Sequence, residues 1–216
     1  MGMIPKLPQA QVPRIIPTGA KGLELYPWDA LPVLAPFVVA AGDALAVQQT
    51  RVRLGYDDAA LYLQFECDDT DIWGTYTQRD DPIYDEEVVE LFISPGTTTP
   101  TRYYEIELSP NGVLFDARIY NPTNQRADLH VDVHWNPAIV HRAWRDDAAD
   151  RWGGLLAVPW AALVDGPPPT SWRANVYRIE RPRGSAPEFS CWSPTFTAPA
   201  DFHRPDYFGT LVLAES

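Results

Sequence analysis

This chain is poor in the residue types that make most active sites. Two cysteines, Cys67 and Cys191, in 216 residues cannot build a disulfide framework. Both fall on apolar positions of candidate strands, so two buried thiols are expected. There is no Gly-x-Ser-x-Gly elbow, no His-Glu-x-x-His, no glycine-rich phosphate loop and no Cys-x-x-Cys. The four histidines form no ligand set. His130 and His134 share a strand face, but four residues of strand separate them by roughly 13 Å, too far for one ion. Positive charge is also scarce: 17 Lys and Arg stand against 29 Asp and Glu, a net charge of -12. That balance argues against a nucleic-acid partner and against an anionic membrane surface. The longest apolar stretch, 31–42, is too short to span a bilayer and contains Pro32 and Pro36. The N-terminus has no apolar segment of signal-peptide length, so the chain as written is expected to be cytoplasmic, or secreted if a leader was trimmed. Nothing in the sequence sets an oligomeric state.

Proline and aromatic residues, by contrast, are abundant. The 22 prolines punctuate the chain into short elements and leave no room for long helices. Residues 1–22, with prolines at 5, 8, 13 and 17, read as an irregular arm, and 23–216 as one domain. Within that domain strand patterns recur at short spacing. They are expected over 50–54, 61–67, 87–93, 102–108, 113–120, 129–135, 139–144, 154–158, 173–180, 188–193 and 207–213. The segment 110–112, Pro-Asn-Gly, is a hairpin turn signal. One short helical piece is expected, at 159–163. Many strands without crossover helices imply an all-β, antiparallel β-sandwich.

Candidate site residues come from strand parity. Between Glu66 and Glu90 lie ten acidic residues against one base, Arg79. A solvated acidic loop is one reading of its first half, and the spacing is not that of an EF-hand. On the following strand Val89, Leu91 and Ile93 look like core, which turns Glu90 to the other face. Tyr84 and Glu86 share that second face. Tyr103, Glu105 and Glu107 repeat the pattern, and Arg173, Asn175 and Tyr177 do so on a later strand. If Phe189 and Cys191 face the core, Trp192 faces out. A carboxylate in mid-sheet needs an ion pair or a ligand. Aromatic rings beside fixed polar groups suit a small polar ring such as a pyranose. Paired acids among Glu86, Glu87, Glu90 and Glu107 leave a glycoside-active enzyme as an alternative, and a purely structural or interaction sandwich as another.

Seven strings in order carry a family resemblance: Tyr56 to Leu63, Cys67-Asp68-Asp69, Asp85 to Ile93, Tyr104 to Glu107, Ala157 to Trp160, Phe189 to Pro194, and Phe208 to Leu211. The chain resembles the family 9 carbohydrate-binding modules and their stand-alone relatives in the DOMON-like group. The resemblance implies an immunoglobulin-like or jelly-roll sandwich that binds a mono- or oligosaccharide without catalysis. It implies a clamp of two aromatics on one sugar ring, often at a chain's reducing end. The clamp positions fall on Tyr84 and Trp192. The hydrogen-bonding acid falls on Glu90, a further polar residue on Glu107, and a late-strand polar side chain on Tyr177 or Asn175. Some members of the family hold structural calcium.

Overall fold

The structure, a computed structural model, describes residues 6–16, 24 and 26–215. Among these residues, thirteen strands make two packed sheets, with one short helix, α1 (Trp160–Leu163), and a few single 3-10 turns. The smaller sheet has the order β3 (Thr50–Tyr56), β4 (Ala60–Asp68), β10 (Arg151–Pro159), β9 (Val140–Asp146). The larger sheet has nine strands. Its main path runs β1 (Gln9–Val12), β13 (Gly209–Leu213), β11 (Ser171–Glu180), β5 (Val88–Pro95), β6 (Arg102–Leu108), β7 (Leu114–Tyr120), β8 (His130–Asp132). β12 (Glu188–Cys191) also pairs with β11, and β2 (Val38–Val39) pairs with β12. The β-sandwich expected from the sequence is the fold found.

Two local expectations are corrected. Within 1–22, expected to be irregular, Gln9–Val12 forms a strand that runs parallel to β13. It is the one parallel pairing among the named strands. The parts of that arm at 1–5 and 17–22 lie outside the described residues. Residues 83–85 form a 3-10 turn, and the strand begins at Val88, so Tyr84 and Glu86 precede the sheet.

The main core lies between the sheets. Leu61, Leu63, Phe65 and Cys67 of β4 pack with Val89, Leu91 and Ile93 of β5, Ile106 and Leu108 of β6, and Val176 of β11. Alternation along β4 and β6 produces this face, as period-two strands must. Gly154 allows the close approach, because a Cβ there would fall 2.6 Å from Leu108 Cδ2 and Phe65 Cζ. A second apolar cluster covers the outer face of the larger sheet. It includes Phe92, Tyr103, Phe115, Tyr177, Cys191, Phe202 and Phe208. The larger sheet is therefore apolar on both faces, which explains why β5 is buried from Val88 to Ser94. Cys67 and Cys191 are free, buried thiols, one in each cluster, and burial pushes both up to about 12.

Candidate functional site on the outer face of the larger sheet

The outer face carries a cavity of about 1090 Å³, lined by Tyr84, Glu90, Glu105, Glu107, Phe115, Arg126, Phe196 and His203 among others. Register sets its floor. Across the strands, Tyr177 lies opposite Glu90, Glu90 opposite Glu107, and Glu107 opposite Phe115. The next row reads Asn175, Phe92, Glu105, Ala117. The parity expected for Glu90, Glu105, Glu107, Asn175 and Tyr177 is thus the parity observed.

The loop after β12 forms a wall. His203 Nδ1 and the Tyr103 hydroxyl share a hydrogen bond of 2.8 Å, Tyr177 Oη donates to the Phe202 carbonyl at 3.0 Å, and Asn121 Nδ2 donates to the His203 carbonyl at 3.1 Å. Burial lowers the His203 pKa, which favours the neutral ring. Phe196 has φ 54°, unusual for a non-glycine residue, and its N–H donates to the Ala40 carbonyl at 2.8 Å. Its ring is 44% exposed. Tyr84, 40% exposed, stands edge-on to Phe115 with ring centroids 5.5 Å apart.

The three floor glutamates are almost completely buried, yet they are poorly paired. Each offers a carboxylate oxygen within 4.8 Å of the other two. Neither oxygen of Glu107 accepts from an N–H or hydroxyl donor among the described residues, and its one bonded neighbour is another carboxyl, Glu105. Burial, and then the neighbouring carboxylates, hold Glu90 and Glu107 well above the usual range. The bases nearby are committed elsewhere. Arg126, on the rim, pairs with Asp201 at 3.4 Å, and the Arg181 guanidinium lies over the Phe189 ring.

The remaining expected site residues sit elsewhere. Trp192, expected to face out as a clamp, is 4% exposed and packs in the inter-sheet core. The reason is parity. Cys191 lies opposite Tyr177 and shares the outer face, so its successor turns the other way. The ring covers Gly209, where a Cβ would fall 2.5 Å from Trp192 Cζ3. Asn175 is buried and fully engaged: Nδ2 donates to the Ser193 carbonyl at 2.7 Å, and Oδ1 accepts from the Ser193 and Val176 N–H groups. Tyr177 is also fully buried, stacked on Phe202 with centroids 4.2 Å apart. These two support the wall rather than line the cavity. Glu86 is absent from the lining as well. It accepts from the Thr75 N–H at 2.7 Å and from the Thr75 hydroxyl. Glu105, given by the same parity as Glu107, joins it in the lining, whereas other lining residues were missed. Phe196, Arg126 and His203 had no such signal, because loops carry no period.

A second acidic trio, Asp69, Glu87 and Glu180, lies away from this cavity. Arg178, fully buried, donates to Asp69 at 3.0 Å, to the Asp68 carbonyl at 2.6 Å, and to Glu180. Burial and the Asp69 carboxyl push Glu87 up to about 10, and burial pushes Glu180 up to about 7. Hard oxygen donors suit calcium. Here, however, a guanidinium already occupies the space among them, and the trio does not fit a metal ion. Asp68 and Asp71 pair with Arg51 and Arg183, so much of the acidic run is a paired network rather than a free loop. His130 and His134 are exposed, and the His130 ring stacks on Tyr120.

With this geometry in place, comparison with known proteins gives a family. The family model of carbohydrate-binding family 9 matches residues 40–213. The chain belongs to carbohydrate-binding family 9. A relative from Arthroderma benhamiae (strain ATCC MYA-4681 / CBS 112371), named "Extracellular protein", is 30% identical over 198 residues, 88% of each chain. Among solved structures, a protein of Bacteroides uniformis ATCC 8492 superposes with a TM-score of 0.77 at 18% identity, over 97% of this chain and all of that one. A family 9 module of Caldicellulosiruptor kristjanssonii, solved with cellotriose, superposes at TM-score 0.62 and 12% identity, over 97% of this chain and 95% of that one. The same kind of module solved with glucose gives 0.63 and 12%, with 97% of each chain covered. At these identities the structural likenesses establish the fold.

Proposed function

We propose that this chain binds a mono- or oligosaccharide in the outer-face cavity, with Tyr84 and Phe196 as its exposed aromatic surfaces and Glu90, Glu105 and Glu107 as acceptors for its donors. One observation carries the reading. Glu107 is fully buried on the cavity floor, and among the described residues no N–H or hydroxyl donates to it; only another carboxyl, Glu105, reaches it. An orphaned buried carboxyl is costly, and a ligand that donates hydrogen bonds relieves the cost. Sugar rings present hydroxyl donors around their rim and C–H faces that stack on aromatic rings. The family membership and the sugar-bound modules of the same fold support this chemistry. The two aromatic positions replace the Tyr84–Trp192 pair implied by resemblance, because Trp192 has no access to the cavity.

Isothermal titration of glucose, cellobiose and cellotriose against the whole chain tests the reading. Saturable binding that Tyr84→Ala weakens, in a variant that melts like wild type, is the expected result. Absence of binding by the folded protein across a broader sugar panel overturns it.

A further inference from the structure

The floor of the cavity gathers carboxyls whose burial and mutual proximity favour their protonated forms while it is empty, so a cationic ligand that lets them ionise there gains more than a neutral hydroxyl does. Five acidic side chains line it, Asp85, Glu90, Glu105, Glu107 and Asp201, against two bases, Arg126 and Arg181. Arg126 is held by Asp201 on the rim, and Arg181 by an aromatic face. Glu90, Glu105 and Glu107 are 2%, 6% and 0% exposed. Their oxygens gather within 4.8 Å, and Glu107, which lines the cavity, receives no N–H or hydroxyl donor among the described residues.

Resting on the carbohydrate reading of this cavity, we propose that its preferred ligand is an amino sugar, a pyranose whose protonated amine seats on the Glu90–Glu105–Glu107 floor. The upper bound of 4.8 Å on the spacing of these oxygens admits an ammonium. Three N–H donors in tetrahedral array, each about 2.8 Å from its acceptor, place the acceptors about 4.6 Å apart. One group thus supplies three donors and one positive charge to a trio whose nearest cation, Arg126, is paired with Asp201 on the rim. A hydroxyl supplies one donor and no charge. A calcium ion needs six to eight oxygens, which this trio reaches only with bidentate carboxylates or added waters beside the apolar Phe92 and Phe115 rings, so it is a competitor that the test includes. Those same rings, with Tyr84, favour a cation that carries an apolar body.

Titration of the whole chain with glucosamine, N-acetylglucosamine, glucose and calcium chloride tests the proposal. The assay is set at about pH 6, below the roughly 7.7–8.0 range of an α-amino group, so that the amine is charged. Glucosamine is expected to bind at least about tenfold tighter than N-acetylglucosamine, which keeps the ring and loses the charge. Glu107→Gln and Glu105→Gln should each shrink that ratio, with folding of each variant checked by its melting temperature. Equal or tighter binding of glucose or N-acetylglucosamine overturns the amino-sugar proposal and leaves the carbohydrate reading standing. Binding of calcium without sugar, lost in Glu107→Gln, overturns it in favour of a metal ion. No binding by any sugar overturns both.

Discussion

Glu90 and Glu107 stand directly opposite each other on β5 and β6, in the middle of the nine-stranded sheet. Like charges in that position destabilise an antiparallel pair. Burial on the outer face, beneath the loop that carries Phe202 and His203, makes the arrangement costlier. Both carboxyls are held well above their usual range, so the empty protein keeps protons there that the unfolded chain releases. The sign follows by linkage. A carboxyl raised in the folded state contributes stability that is complete below its unfolded value of about 4.5 and is lost as pH rises through its folded value. Glu107→Gln should therefore be more stable than wild type at neutral pH, by roughly 1–3 kcal/mol, with the advantage vanishing in acid. Urea unfolding at a series of pH values reads this out. A destabilised Glu107→Gln at neutral pH would mean that the carboxyl has a partner in the folded protein.

Tyr84 and Phe196 reach the same cavity from different parts of the chain, one from the turn before β5 and one from the loop after β12. Both rings are partly exposed, so shortening them removes little packing. Tyr84→Ala and Phe196→Ala should each weaken sugar binding by roughly three- to tenfold, the scale of a lost stacking contact. Their melting temperatures should stay close to wild type. A Tyr84→Ala variant with unchanged affinity would remove that ring from the site.

Strand pattern alone located most of the fold. Alternation in β4 and β6 and the Pro110-Asn111-Gly112 turn placed the central hairpins, and parity in β5 put Glu90 on the face that carries the cavity. Parity failed at Trp192 for a physical reason. The larger sheet is apolar on both faces, so the apolar side of β12 could not be equated with the inter-sheet core. β1 escaped because its four residues lie in a proline-rich stretch and gain their pairing from β13, nearly the whole chain away. The cavity wall escaped because its shape depends on long-range hydrogen bonds to Tyr103, Asn121 and Tyr177, which leave no local signature.

Trp192 belongs to the core, and its substitution should behave accordingly. Trp192→Ala is expected to cost about 3–5 kcal/mol, as for other large buried rings. Gly209→Ala, which forces a Cβ against Trp192 Cζ3, should cost about 1–3 kcal/mol. Denaturant titration measures both. Gly209→Ala should still bind sugar when folded, because Trp192 lies on the far side of the sheet from Glu90. Lost binding in a fully folded Gly209→Ala protein would return Trp192 to the site.

Arg178 is the internal cation of the second acidic trio, and its removal gives the sharpest stability prediction. Its guanidinium is fully buried and is bonded to Asp69 and Glu180, with Glu87 3.8 Å away. Removing one partner of a buried ion cluster strands the others, at a cost of about 3–5 kcal/mol. Arg178→Gln should lose about that much at neutral pH. Glu87 and Glu180 are already raised, to about 10 and about 7, and losing the guanidinium raises carboxyls further. Raised carboxyls in the folded state favour it most in acid. The deficit of Arg178→Gln against wild type should thus shrink as pH falls from about 8 toward about 5. A deficit independent of pH would instead assign Arg178 a packing role over Trp152, whose ring lies 6.0 Å from the guanidinium carbon.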